Sequence, residues 1–183
     1  MCNENLVYNI LSISNKHISI GINYLKATID YSDILAIVDS REKTPLDLSP
    51  IQSKVGTLTT GDYSVFGLEM HISVERKSLP DIVSCCGSER DRFSKEIKRL
   101  LAYSVRAVVI EASWDDIKAG DWRSSLTPNH VIGSIIGWSC MGVPFFMAGN
   151  DASDIVSRIL LQGARKKYSE IYQMLKHGVK NGL

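Results

Sequence analysis

The stretch GDYSVFGLEMHISVERKSLPD, residues 61–81, combines two apolar, β-branched runs with a glycine between them. This pattern predicts two antiparallel strands joined by a turn. Because alternate side chains on a strand share a face, Glu75 and Lys77 are expected to point together and Arg76 to point the other way. The same hairpin brings Asp62 near Glu75. One carboxylate and one ammonium are therefore predicted to share a face, with a second carboxylate near them on the neighbouring strand.

Two acids and a lysine in this arrangement are the side chains that metal-assisted hydrolysis of a phosphodiester needs. Asp62 and Glu75 would supply hard oxygen ligands to Mg²⁺, which keeps some of its waters and coordinates phosphate oxygens. The metal would lower the pKa of a water molecule and stabilise charge on the phosphate. Lys77 would position the nucleophile or neutralise developing negative charge. We therefore predict Mg²⁺ as cofactor, with Mn²⁺ as a substitute.

Three sequence blocks follow one another in a fixed order: residues 37–42 read IVDSRE, residues 61–62 read GD, and residues 75–81 read ERKSLPD. In order and spacing they resemble the nuclease domain of the XPF-type structure-specific endonucleases, a branch of the restriction-endonuclease-like superfamily. The resemblance covers residues 35–159. It implies an α/β fold with a mixed central sheet flanked by helices. It also implies a metal-dependent endonuclease that cuts branched or structured DNA in repair or recombination.

Asp39 follows residues 34–38, an unbroken apolar run that is typical of a strand buried on both faces. An acid at the carboxyl edge of such a strand lies where open α/β sheets commonly place ligands. The alternative is a carboxylate that caps the following turn. The resemblance implies that Asp39 lies beside the metal, as a ligand or in support of the ligands, and that Arg41 and Glu42 help to organise the site.

Two residues of the third block have a structural alternative. Ser78 is predicted to be the N-cap of a helix with Pro80 in its first turn, which puts Asp81 at the capping-box position. Asp81 either caps this helix or, as the resemblance implies, supports the catalytic site. Arg76 is expected to hold structure or a neighbouring phosphate through its side chain, while its backbone carbonyl reaches the metal.

Residues 89–103 predict a helix with an apolar stripe and a largely basic remainder. The basic residues that would hold DNA phosphates are Arg90, Arg92, Lys95 and Arg99. Acids are interspersed among them, so an ordinary solvated helix face is the alternative. In the family, an Arg-aromatic pair similar to Arg92-Phe93 flanks the site, which favours contact with DNA.

Composition and motifs limit the ligands and the cellular location that this protein can have. A net charge of +1 over 183 residues means that nucleic-acid binding must come from local patches. The four cysteines show no CxxC pairing, which argues against a zinc site. No apolar run approaches the length of a membrane span and the first residues are too polar for a signal peptide, so we expect a cytoplasmic protein. A single domain of this size without helicase or helix-hairpin-helix segments suits a bacterial or phage setting. No phosphate-binding loop of the GxxxxGKS or GxxxxGKT type is present, so no nucleotide cofactor is expected.

We divide the chain into three parts. Residues 1–33 form an N-terminal extension whose alternating pattern predicts one hairpin, residues 34–167 form the nuclease domain, and residues 168–183 form a basic C-terminal helix or tail. Nucleases that resemble this chain commonly dimerise through the carboxyl-terminal half, which implies a homodimer. A DNA-binding pseudonuclease or scaffold subunit, and a resolvase or restriction-like nuclease acting on other DNA, are the alternative functions.

Overall fold

A computed structural model describes residues 29–178 of the chain, with side chains as far as residue 175. The hairpin predicted for the N-terminal extension lies outside the described residues. Of this extension the structure describes residues 29–33, which include a 3-10 turn at Tyr31–Asp33. The chain divides into two compact units. Residues 30–164 form the larger unit, and the described residues of the other unit are 29 and 165–178.

The described residues contain six strands in one sheet. The strands are β1 (Leu35–Asp39), β2 (Gln52–Gly56), β3 (Tyr63–Val65), β4 (Ile72–Ser78), β5 (Val105–Glu111) and β6 (Phe145–Met147). Their order across the sheet is β2-β1-β3-β4-β5-β6. Strand β3 runs antiparallel to β1 and β4, and the other neighbouring pairs are parallel. The predicted mixed sheet is confirmed.

Five α-helices follow in the described range. They are α1 (Leu79–Cys86), α2 (Arg90–Leu100), α3 (Trp114–Ala119), α4 (Pro128–Cys140) and α5 (Ala152–Gly178). Helices α1, α3 and α4 each begin after a Ser or Thr whose hydroxyl accepts a backbone N–H of the first turn, which satisfies one of the free donors there. Helix α5 continues without a break past residue 167, where the sequence division placed a boundary. No helix in this range has the length and hydropathy that a membrane span needs.

Side chains from β5 and from helices α1–α4 form one buried apolar cluster. Its large members are Ile82, Val83, Phe93, Ile97, Leu100, Val108, Ile110, Ile117, Val131, Ile135 and Trp138. Phe93 meets Trp138 edge-on, with ring centroids 4.9 Å apart, an arrangement that aromatic pairs favour. On the opposite face, a Cβ built on Gly163 of α5 would lie 2.9 Å from the Val105 side chain, so α5 approaches the sheet closely there. Helices therefore flank both faces.

The register between β4 and β5 shows which face of the sheet carries Glu75 and Lys77. Glu75 pairs with Val108 and Lys77 pairs with Ile110. Paired residues on neighbouring strands point to the same face of a sheet. Val108 and Ile110 belong to the buried cluster under α1–α4. Glu75 and Lys77 therefore lie on the face that these helices cover.

Strand β2 begins earlier in the chain than the sequence alone predicts. After a loop with two prolines, the sequence predicts a strand over residues 55–59, but β2 occupies Gln52–Gly56. It is an edge strand and most of its side chains are exposed, including 71% of Val55. A strand with both faces largely in water carries no apolar alternation that would mark its start, and this explains the shift of about three residues.

Candidate active site

Asp62 is fixed to the strand that carries Glu75 by two hydrogen bonds. Its backbone N–H donates to the carbonyl of Val74 at 2.8 Å, and its Oδ2 accepts the backbone N–H of Arg76 at 2.8 Å. These two contacts lie on either side of Glu75 in sequence. The carboxylate of Asp62 is thus held against β4 at the level of Glu75, as the hairpin predicts.

Gly61 makes this approach feasible. Its φ is 78°, in the left-handed region, and a Cβ there would lie 2.4 Å from the Ser73 hydroxyl oxygen and 3.0 Å from the Val74 carbonyl oxygen. A side chain at this position would separate the two strands. The close packing of Gly61 on β4 therefore sets the position of Asp62.

Glu75 and Lys77 form an ion pair on the covered face. The side chain of Glu75 is only 3% exposed, and the Nζ of Lys77 donates to its Oε1. The guanidinium of Arg76 instead binds Glu111 at 2.7 Å and Glu42 at 3.3 Å. The predicted division of this strand into two faces is confirmed.

Burial and like charge act together on the acids. Burial raises the pKa of Asp62 to about 6. Burial, followed by the negative charge of Asp62, raises the pKa of Glu75 well above its ordinary value. For Lys77, burial lowers the pKa, but the charge and hydrogen bond of Glu75 outweigh it and the net shift is upward. Two acids that repel one another are therefore held beside one ammonium.

Glu96 on α2 is a residue of this site that the sequence did not single out. Its side chain is only 13% exposed, and Arg92 places Nη1 3.5 Å from its Oε2. Its negative charge contributes to the raised pKa values of Asp62, Glu75 and Lys77, after the larger effects given above. The one available signal was helical spacing, because Glu96 lies one turn after the buried Phe93.

Asp39 caps the turn that follows β1. Its Oδ1 accepts the backbone N–H and the Nε–H of Arg41, at 3.0 and 2.6 Å, and its Oδ2 accepts the N–H of Leu58 at 2.7 Å. Burial raises the pKa of Asp39, but these hydrogen bonds outweigh it and the pKa lies below its ordinary value. Both carboxylate oxygens are therefore engaged by protein donors. The backbone still links Asp39 to the acids, since its N–H donates to the carbonyl of Asp62 at 2.8 Å.

Arg41 extends from this turn toward the acids. Asp39 and the Leu58 carbonyl, 2.8 Å from Nη2, hold its guanidinium, yet 70% of the side chain is exposed. The hydrogen bond and charge of Asp39 raise the pKa of Arg41, and the charges of Asp62 and Glu75 contribute further. Arg41 thus presents a fixed positive charge to water near both acids.

On the other face, Arg76 joins three separated segments. Its Nη1 lies 3.3 Å from Glu42 and donates to the Thr44 carbonyl at 3.1 Å, while its Nη2 donates to Glu111 at 2.7 Å. Its Nε is buried and finds no partner within the described residues. Glu42 thus binds Arg76, and its charge adds to the rise in the pKa of Asp62 only after burial. Glu111, which closes β5, belongs to this ion-pair network.

The remaining candidates lie outside the acidic pair. Asp81 is exposed in the first turn of α1 and accepts the Ser78 hydroxyl at 2.6 Å, while Ser78 is the N-cap of the helix. Arg90 donates to the Ser134 hydroxyl at 2.6 Å and lies over the Trp138 ring, so it ties α2 to α4. Arg92 pairs with Glu89 and Glu96. Lys95 and Arg99 are exposed on α2.

The two central acids have the chemistry of a divalent cation site. Asp62 Oδ1 and Glu75 Oε2 accept no hydrogen bond from the described part of the chain. Among the residues described, no three His, Cys, Asp or Glu side chains stand together as a ligand set. Few protein ligands suit Mg²⁺, which retains water and binds phosphate oxygens. A cation would also relieve the repulsion between the two acids.

Fold and site together define a mixed α/β domain with two acids and a lysine gathered on one hairpin. The solved structures that share this fold include two of one protein. XPF from Aeropyrum pernix matches with a TM-score of 0.55 and 18% identity, over 72% of this chain and 62% of that chain. XPF from Aeropyrum pernix in complex with DNA matches with the same TM-score and identity, over 73% and 66%. The resemblance that the three sequence blocks indicated is confirmed at the level of the fold.

The extent of these matches is limited. This chain spans less than two thirds of the length of each matched chain. No family model matches the sequence, and no curated protein does.

Proposed function

We propose that this chain is a metal-dependent DNA endonuclease that hydrolyses phosphodiester bonds, with a preference for branched or structured DNA. The observation that carries the proposal is the buried pair Asp62 and Glu75, with Lys77 bound to Glu75 on the same face. The shared fold with XPF from Aeropyrum pernix, one structure of which is a complex with DNA, supports DNA as the substrate.

Mg²⁺, or Mn²⁺ in its place, would be held by Asp62 Oδ1, Glu75 Oε2 and the backbone carbonyl of Arg76. Asp39 would support this set from outside it, because its oxygens already accept three N–H groups. When bound, the ion would lower the pKa of a water molecule and stabilise negative charge on the phosphate.

The chain itself supplies two cations for the substrate. Lys77 lies beside Glu75 and would neutralise charge that develops on the phosphate. Arg41 is held by Asp39 and by the Leu58 carbonyl, and its Nη1 makes no hydrogen bond within the described residues. Its exposed guanidinium would bind a phosphate oxygen next to the acids and orient the strand that is cut.

Helix α2 offers further phosphate contacts. Arg92, Lys95 and Arg99 are exposed on α2, the helix that also carries Glu96 toward the acids. Neutralising phosphates releases counterions and drives binding without regard to sequence. Arg90 is a weaker candidate because its guanidinium is already bound to Ser134.

A homodimer remains part of the proposal, and the outer side of α4 and the edge strand β6 support it. Ile136, Met141 and Phe146 are exposed there, and a Cβ built on Gly133 or Gly137 would meet nothing within 4 Å. Small residues on a helix face let a second helix approach closely. Sedimentation of the wild type beside Ile136→Lys tests this assembly: a dimer that becomes a monomer supports it, and a monomeric wild type contradicts it.

The test of function is cleavage of labelled flap, fork, four-way-junction and linear duplex DNA in Mg²⁺ or Mn²⁺, beside Asp62→Asn. Loss of at least ~100-fold in rate is expected in the variant, the scale for losing a group that stabilises transition-state charge. Cutting of branched substrates that disappears in the variant supports the proposal. Equal cutting of linear duplex keeps the nuclease and contradicts the branch preference. Binding without cutting in either metal would instead favour a pseudonuclease or scaffold.

A further inference from the structure

Phe66 and Lys54 form an exposed contact across one face of the sheet. The Nζ of Lys54 lies 3.6 Å from the centroid of the Phe66 ring, although β1 separates the two segments that carry them. Phe66 is 49% exposed, and Lys54 is exposed on the edge strand β2. Lys54 forms no ion pair with the residues that the structure describes. An aromatic ring and an ammonium without a counter-charge thus stand together in water.

This pair lies on the same face of the sheet as the acids. Lys54 pairs with Ile37 of β1, and Ile37 pairs with Ser64 of β3. Phe66 and Asp62 stand two residues to either side of Ser64, and side chains at this spacing on a strand share a face. At a rise of about 3.3 Å per residue, the backbone of Phe66 lies about 13 Å from that of Asp62. This distance is the length of about four stacked nucleotides, so one DNA strand can reach both places.

The neighbours of Phe66 favour a nucleotide as the ligand. The N–H of Phe66 donates to the carbonyl of Leu35 at 2.8 Å, and Leu35 pairs in turn with the exposed Gln52 of β2. Gln52 therefore lies on the same face as the ring. A ring stacks on bases, an ammonium binds phosphate, and an amide forms hydrogen bonds with base edges. A purely apolar partner would instead bury the Lys54 ammonium without a counter-charge, which is costly.

The ring of Phe66 requires a base that is not paired. In a duplex, neighbouring bases cover both faces of each base, and exposing one face costs unstacking energy. Bases of a single strand are free to stack on an aromatic side chain. The ligand that fits this surface is therefore single-stranded DNA.

We infer that Phe66 and Lys54 bind the unpaired strand of a branched DNA, with the ring stacked on one base and the ammonium on an adjacent phosphate. The inference rests on the proposed function, since the acids define where the strand is cut. Helix α2 packs on β5, on the other side of the acids from this pair. Its basic face is thus available for the paired arm of the same substrate.

The competing explanation is a cation–π contact that serves only to hold β2 against the hairpin. Such contacts are weak at exposed sites. In that case Phe66→Leu would lower stability and would affect the binding of single strand and duplex alike. Val55 provides a matched control, because it follows Lys54 on the same strand, is 71% exposed and points to the opposite face.

The experiment measures fluorescence anisotropy of a labelled single-stranded oligonucleotide with the full chain in EDTA, beside the blunt duplex of the same sequence. Phe66→Leu is expected to weaken binding of the single strand at least about fivefold, the low end for losing one stacked base. The same variant should change binding of the duplex less than about twofold, as should Val55→Ala for either DNA. Phe66→Trp keeps an aromatic ring and should bind the single strand within about twofold of the wild type.

The salt dependence of the same measurement tests Lys54. Lys54→Gln should lower the slope of log K against log salt by about 0.7, the value for one phosphate of a single strand. An unchanged slope overturns the contact between Lys54 and phosphate.

The outcomes separate this inference from the proposed function. Single-strand binding that Phe66→Leu leaves unchanged overturns the inference, and so does an equal loss for single strand and duplex. Neither result affects the nuclease proposal, which cleavage of branched DNA decides. Binding that depends on Phe66 in a wild type that cuts no DNA supports the contact and contradicts the nuclease. If Phe66→Leu lowers the melting temperature, Phe66→Trp decides: retained affinity supports stacking, and lost affinity contradicts it.

Discussion

The carboxylate of Asp62 accepts the backbone N–H of Arg76 at 2.8 Å, so an acid of one strand is bound directly beside Glu75 of the next. This contact holds two buried acids together, and it persists in principle when the acid is replaced by its amide. The site can therefore be probed by changes that remove charge and keep shape.

Asp62→Asn is expected to stabilise the metal-free protein at neutral pH. Burial raises the pKa of Asp62 from 3.8 to about 6, so the folded state favours the protonated acid. Its contribution to stability is fully present below the unfolded value and is lost as the pH rises through the folded value. Removing the charge should recover about 1–3 kcal/mol of unfolding free energy above that range. Urea titrations in EDTA, below and above this range, measure the difference.

Asp81→Asn is the matched control for that experiment, because Asp81 is an exposed acid at the following helix start. It should give no gain in stability. Mg²⁺ is expected to stabilise the wild type more than Asp62→Asn, since it binds only the folded site. If the unfolding free energy depends on pH equally in the wild type and in Asp62→Asn, the raised pKa of Asp62 is contradicted.

Gly61→Ala should cost more stability than Gly67→Ala. Both glycines have positive φ, at 78° and 80°, so both substitutions carry the same conformational strain of about 1–2 kcal/mol. Only Gly61 lacks space, with the Ser73 hydroxyl 2.4 Å from its Cβ position, whereas nothing lies within 4 Å at Gly67. Denaturation compares stability, and cleavage rates test whether Asp62 has moved. Equal costs at the two positions would show that close packing at Gly61 is unimportant.

Arg76→Ala is expected to destabilise the protein by about 3 kcal/mol, because it leaves two mostly buried acids, Glu42 and Glu111, without their partner. Arg158→Ala removes an exposed pair with Asp154 and should cost less than about 0.5 kcal/mol. Urea denaturation of both variants gives the comparison. A loss at Arg76 no greater than at Arg158 would mean that the ion-pair network contributes little to the fold.

Lys95→Gln and Arg99→Gln should weaken DNA binding and reduce its salt dependence. Each lost phosphate contact is expected to lower the slope of log K against log salt by roughly 0.9. Lys118→Gln, a change to an exposed lysine already paired with Asp115, should leave the slope unchanged. Fluorescence anisotropy in EDTA over a range of salt concentrations measures all three. An unchanged slope in both α2 variants would show that this face of the helix does not contact DNA phosphates.

Local patterns were sufficient to predict the hairpin and the two faces of β4, because the period of a strand is short and strict. Ser78 predicted the start of α1 for the same reason, since an N-cap acts within one turn. The side chain of Asp39 was less predictable. The strand that precedes Asp39 was clear from its apolar run. The hydrogen bonds of the Asp39 carboxylate, however, include one from the N–H of Leu58, 19 residues further on.

The contacts of Glu96 and Glu111 could not be predicted from the sequence. The spacing within α2 separates an apolar stripe from a charged remainder, but it does not say which charged residue reaches a cleft at the edge of that stripe. Glu111 reads as a polar strand end until the sheet brings Arg76 beside it, 35 residues away in sequence. Both contacts arise from packing between elements, which periodicity within one element does not encode.

The hydrogen bond between Asp62 and Arg76 spans only 14 residues, whereas the ion pairs of Arg76 with Glu42 and Glu111 span 34 and 35. Short loops close sooner than long ones, because less chain entropy is lost. The hairpin that carries both acids can therefore form early in folding, while water still surrounds it. The repulsion between the acids is expected to increase when the rest of the fold buries them, because burial and like charge both raise their pKa values.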